Sequence, residues 1–169
     1  VCSSDLLLNG EMSILECACN KLWRGSWYLV GGNNLMDIKK VEAVAEFMEL
    51  NEIGKANITH QDDHYYTYGN EEYMVLTDDE ADDKVAEYIK ETVWAFNPDF
   101  LASHSGIDRE VFEKLQDSCE TANDAIFKLI KDFNKFVQEA IATDGRSHFL
   151  SGYDGNENEQ GDFYLYRTN

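Results

Sequence analysis

The sequence predicts an α+β fold: a small antiparallel sheet, made of a hairpin at about 64–76 and a C-terminal strand at about 162–167, packed against several helices, the longest at about 120–142. Three observations carry this. Two runs rich in aromatic and β-branched residues, His64 to Tyr68 and Glu71 to Leu76, are separated only by Gly69-Asn70, a two-residue hairpin signal. Apolar residues recur three and four apart through much of the rest of the chain, which is the spacing of buried helix faces. A last alternating run, Phe163-Tyr164-Leu165-Tyr166, follows that helical block, so the strands are not laid out as a parallel βαβ array.

The elements follow in order. Trp23 to Val30 reads as an extended piece ending at Gly31-Gly32-Asn33-Asn34. Between Met36 and Leu50, Ile38, Val41, Val44, Ala45 and Met48 mark one face of an amphipathic helix. After the hairpin, Thr77-Asp78-Asp79-Glu80 has the form of a capping box, and Val85, Ile89, Val93 and Phe96 continue the helix that it starts. Asn97-Pro98 stops that helix, because the residue before proline is pushed out of the α region, and a short helix can begin at Pro98. Gly106 breaks the next segment, and Asp108 is placed to cap a helix carrying Val111, Phe112 and Leu115. The longest stripe runs from Ala122 through Ile126, Leu129, Ile130, Phe133, Phe136 and Val137 to Ile141, and ends at Asp144-Gly145. Phe133 lies in the middle of it and is expected to be buried.

Composition bounds the function. The chain has 169 residues, with 14 Lys and Arg against 33 Asp and Glu, a net charge of -19. Such a field repels phosphate backbones and acidic membranes, so direct nucleic-acid binding and membrane association are not expected. The apolar runs are too short for a membrane helix, and a soluble chain follows. Cys2, Cys17, Cys19 and Cys119 do not form a secreted disulfide framework, so reduced thiols in a cytoplasm are expected, with Cys17 and Cys19 buried or half-buried. Val1 to Leu6 matches the translation of the end of a common sequencing adapter, as arises in metagenomic assembly. Residues 1–11 are therefore set aside as artefact or disordered arm, and residues 12–169 are expected to form the single domain.

Among groups that could carry chemistry, His60, Asp62, Asp63 and His64 are the densest set of metal-ligating side chains, of a type suited to zinc, iron or manganese. A solvated loop entering the hairpin explains them as well. Asp154 to Glu159 begins like a calcium loop but lacks the glycine at its sixth position and the glutamate at its twelfth, so a polar, mobile loop is expected. Ser103-His104-Ser105 has no nucleophile elbow around it. Asp78, Asp79, Asp82 and Asp83 crowd a helix start, where the macrodipole favours negative charge; they are also the candidate acidic contact surface. Trp23 and Trp27 are candidate contact residues of an apolar kind, while Trp94 is expected in the core.

The segments Val75 to Asp82, Trp94 to Leu101, Gly145 to Gly155 and Tyr164 to Asn169 together resemble small uncharacterised proteins of tailed bacteriophages. The likeness covers roughly Tyr73 to Asn169. It implies a role accessory to the virus in the cytoplasm of a bacterial host. In size and acidity the chain is also similar to phage and plasmid antirestriction proteins that imitate DNA, which implies a DNA-mimic antirestriction or anti-CRISPR role as an alternative. The expectation is a non-enzymatic protein, without cofactor, that binds a bacterial or phage protein with a basic surface. The alternatives are DNA mimicry, which needs an extended stripe of acid, and a metal-dependent hydrolase built on His60 to His64, with His148 or Asp154 brought near by folding.

Overall fold

The hairpin signal at Gly69-Asn70 lies at the centre of the sheet in the computed structural model, which describes residues 35–60 and 62–169. Strands β1 (Thr59–His60), β2 (Tyr65–Tyr68), β3 (Glu71–Leu76), β4 (Asn158–Gln160) and β5 (Phe163–Arg167) form one antiparallel sheet in the order β1-β2-β3-β5-β4. Tyr68 faces Glu71 across the turn, where Gly69 takes φ +63°, a conformation open to glycine without a side-chain penalty. The C-terminal strand joins this hairpin, with Val75 opposite Leu165. The two outer strands were not legible in the sequence. In particular β4 claims the end of the segment expected to be a mobile loop, and pairs Gln160 with Phe163.

Both faces of the sheet are covered, which explains why Tyr73 to Leu76 are buried without alternation. On one face Tyr66, Tyr73, Val75, Phe163 and Leu165 pack with Ala43 and Val44 of α1 (Leu35–Phe47). On the other, Met74, Leu76 and Tyr166 join the larger core, to which Val85, Ile89, Phe112, Ile126 and Phe136 contribute from the remaining helices. The α1 face matches the predicted stripe at Val44 and Ala45, but Ile38 is exposed and Lys40 is buried.

A short helix α2 (Glu52–Lys55) leads to β1. The longest helix among the described residues is α3 (Asp78–Thr92), followed by a 3-10 turn at Val93–Ala95, α4 (Pro98–Ser105) and α5 (Arg109–Gln116). Asn97 caps α4 by accepting from Asp99 N, and Gly106 ends it in the left-handed conformation. Asp108 sits at the N-cap of α5 without making a side-chain cap bond. Trp94 is half-buried against the core, and Gln116 Nε2 donates to its carbonyl and to that of Phe96 at 2.6 and 2.7 Å.

The helix expected at 120–142 is broken. A 3-10 turn at Cys119–Ala122 leads into α6 (Asn123–Leu129), and a separate α7 (Phe133–Asp144) follows. Asp132 causes the restart: its side chain accepts from Lys135 N, and Lys131 N donates to His104 O instead of to its own helix. The apolar stripe continues across the break because both pieces face the same core. Phe133 is accordingly the first residue of a helix and only half-buried, whereas Phe136 is fully buried. Cys119 is a free, exposed thiol. A short α8 (Arg146–Leu150) is the last helix before β4. No helix among the described residues is long and apolar enough to cross a membrane.

Candidate functional site

The start of α3 holds the acidic cluster, and the sequence fixes it there by a full capping box. Glu80 N donates to Thr77 Oγ1 at 3.3 Å and Thr77 N donates to Glu80 Oε2 at 2.8 Å. Asp78 and Asp79 thereby occupy the first turn, where unpaired N–H groups favour negative charge. One side of this turn is held by Arg146 from the start of α8. Its Nη1 lies 2.8 Å from Asp78 Oδ1 and 3.3 Å from Asp82 Oδ1, while Nη2 and Nε reach the two oxygens of Glu157 at 3.0 and 3.1 Å. The guanidinium also lies over the ring of Tyr164, 4.3 Å from its centre. Burial opposes its charge, but the Glu157 and Asp78 carboxylates override that and raise the Arg146 pKa. Tyr166 donates to Glu157 at 2.7 Å, and burial together with that carboxylate pushes its phenol upwards.

On the other side of α3 stands the His60 to His64 loop, organised around a lysine. Lys40 is 1% exposed, and its ammonium donates to both Glu80 oxygens at 3.2 and 2.9 Å, to Asp63 O at 3.1 Å and to His64 Nδ1 at 3.2 Å. Because an ammonium can only donate, His64 Nδ1 must accept, which assigns its ring proton to Nε2. Burial pushes the Glu80 carboxyl up, but the Thr77 N–H and Lys40 win, and its pKa falls below the ordinary value. Asp62 Oδ1 is occupied by His64 N and Tyr65 N at 2.8 and 3.1 Å, and His60 stacks on Tyr66 with 5.7 Å between ring centres. The Tyr66 hydroxyl is buried without a hydrogen-bond partner among the described residues, and desolvation raises its pKa.

His60, Asp62, Asp63 and His64 are thus neighbours in sequence that serve a turn, a stack and a lysine, and the cation of this site is Lys40. Among the described residues no group of three or more His, Cys, Asp or Glu side chains is arranged to hold a metal ion. Asp154 accepts from Ser151 Oγ and Asn156 N at 2.8 and 2.9 Å, which closes its own loop. Ser103 and Ser105 donate back to carbonyls of α4, and the buried His104 ring packs against Phe100 and Phe136. Trp23 and Trp27, the extended piece at 23–30 and the other three cysteines lie outside the described residues.

Of the four aspartates singled out in the sequence, Asp78 and Asp82 are paired with Arg146. Asp79 and Asp83 are exposed and have no ion pair among the described residues. The sequence reading missed Lys40 and Arg146, the two cations that organise the region. Lys40 carried a signal, because it lies four residues before Val44 on the apolar face of α1. Arg146 carried none, since its partners lie up to 68 residues away.

Fold and site together define an acidic α+β protein with surface carboxylates fixed at the start of α3. Comparison with protein-family models, curated proteins and solved structures gave no match.

Proposed function

We propose that this chain acts by binding a protein partner with a basic surface, through the carboxylates around the start of α3. One observation carries the reading: the nearby cations Lys40, Lys84 and Arg146 are already engaged by Glu80, by Glu87 and by Asp78, Asp82 and Glu157. Asp79 and Asp83 stay exposed beside them, on a helix start that the capping box and Arg146 hold in place. Uncompensated charge on a rigid support steers a basic partner and fixes its orientation at low ordering cost. General protein binding is favoured over DNA mimicry because half of the aspartate cluster is neutralised internally and does not extend a phosphate-like stripe. The resemblance to phage proteins is the ground for placing this role in the cytoplasm of an infected bacterium.

The test is affinity capture from infected-cell lysate at low and high salt, followed by titration of the purified partner. Affinity should fall as salt rises, and duplex DNA should compete poorly. Salt-indifferent binding would overturn the reading and move attention to an apolar contact through Trp23 and Trp27.

A further inference from the structure

We propose that a cleft between α3, the turn leading into α4, α7 and α8 binds a small organic cation: an ammonium or guanidinium group carried on an apolar body. The cleft has a volume of about 380 Å³ and is lined by Tyr88, Phe96, Phe100 and Phe149, with Asp144 and His148 among its polar residues. That volume lies at the small end of ligand sites. Phe96 stands 5.9 Å from Phe100 and 6.3 Å from Phe149, and Tyr88 lies 6.0 Å from Phe149, between ring centres. Aromatic faces are negative and attract a cation that has shed part of its water.

The charge of the lining points the same way. Among the described residues no lysine or arginine lines the cleft. Asp144 is the last residue of α7, and that helix has no basic residue in its last turn. A carboxylate at a helix C-terminus faces the negative end of the macrodipole, where a cation is favoured. Asp144 is exposed and has no ion pair among the described residues, so within the described lining only the His148 imidazole stands against these two negative sources, and no lysine or arginine does. A ligand carrying positive charge relieves both, and its alkyl groups cover Phe96 and Phe149. An anionic ligand is repelled, and a neutral apolar one leaves the carboxylate unmatched. This site does not depend on the partner-binding surface.

The experiment is a titration of the whole protein with choline and with its neutral isostere 3,3-dimethylbutan-1-ol, followed by amide chemical shifts. Choline should shift signals at Phe96, Asp144 and Phe149 and bind at least about tenfold more tightly than the isostere. Asp144→Asn should remove most of that preference, and Tyr88→Ala should weaken choline binding. Asp79→Asn/Asp83→Asn should leave it unchanged. Unchanged spectral dispersion shows that each variant is folded. Equal binding of the two compounds, an Asp144→Asn variant that binds as the parent does, or choline shifts confined to Asp79 and Asp83 would each overturn the proposal. The last outcome would reveal only the general attraction of an acidic surface. Success or failure here leaves the salt dependence of partner binding unaffected, so the two readings fall separately.

Discussion

Lys40 and Glu80, 40 residues apart in the chain, meet at 2.9 Å and tie α1 to the start of α3. The pair joins the helix on one face of the sheet to the longest helix on the other, and Asp63 O and His64 Nδ1 complete the coordination of the ammonium. Replacing Lys40 with methionine keeps the buried chain length but leaves His64 and the Asp63 carbonyl without this donor and Glu80 with only the Thr77 N–H. Loss of one member of a fully buried pair costs about 3–5 kcal/mol. Glu80 keeps 34% of its side chain in water, so the expected loss is smaller, about 2 kcal/mol. Urea unfolding of Lys40→Met measures it, and a loss near zero would mean that Lys40 does not hold this geometry in solution.

The same pair sets a pH dependence. The folded-state pKa of Glu80 lies below its ordinary value of 4.5, so its contribution is complete above that value and is lost as pH falls through the folded pKa. Wild-type protein should therefore lose stability faster than Glu80→Gln as pH drops below about 4.5, and the two curves should converge. Asp154, lowered chiefly by the Asn156 N–H, keeps an acid limb in both proteins. Parallel curves from neutral to acid pH would remove Glu80 from the acid transition.

Phe133 and Phe136 separate what periodicity can say from what it cannot. Both belong to the stripe, yet Phe136 is fully buried among Phe96, Phe100, His104 and Phe133, while Phe133 begins α7 half-buried against Phe127. Phe136→Ala should cost about 3–5 kcal/mol and Phe133→Ala about half as much, by truncated area and residual cavity. Denaturant midpoints give the order, and a larger loss at Phe133 would contradict the break between α6 and α7.

That break shows how far the fold was legible. Strands β2, β3 and β5 and the capping box at Thr77 were readable because their signals are local: alternation, a glycine turn, and a threonine three residues before a glutamate. The restart at Asp132 was hidden because a core-facing stripe survives a change of helix when both pieces pack on the same surface. Strands β1 and β4 have two and three residues, and exist through pairing with a neighbour rather than through their own sequence. The acidic cluster was visible as composition, but its division into paired and free aspartates depends on Arg146, whose position is set by the chain's return past α7.

Arg146 should not tolerate lysine. Its side chain is 11% exposed and serves Asp78, Asp82 and Glu157 at once, with two nitrogens on Glu157. A lysine supplies one point of charge where the fork supplied several directed donors. Arg146→Lys is expected to lose about 1–3 kcal/mol, the cost of leaving partly buried carboxylate bonds unmade. Thermal unfolding at matched pH reads the effect, and stability equal to wild type would mean that one ion pair suffices.

The paired and free aspartates should also behave oppositely, which gives the cleanest probe of function. Asp78→Asn/Asp82→Asn removes two of the carboxylates facing Arg146 and weakens its clamp, so stability should fall by about 1–2 kcal/mol. Asp79→Asn/Asp83→Asn touches no ion pair among the described residues and relieves repulsion within the cluster. Against that gain stands the loss of charge near the helix N-terminus, worth about 0.3–1 kcal/mol per group. The two effects offset, and stability should stay within about 0.5 kcal/mol of wild type. Neutralising all four together would mix a folding defect with a binding defect. The Asp79 and Asp83 pair alone changes surface charge on an intact scaffold, so a weakened partner complex in that variant, with a shallower salt dependence, measures the contact itself. If partner affinity and its salt slope are both unchanged there while the Asp78 and Asp82 variant unfolds early, the cluster serves the helix start and the basic partner is met elsewhere.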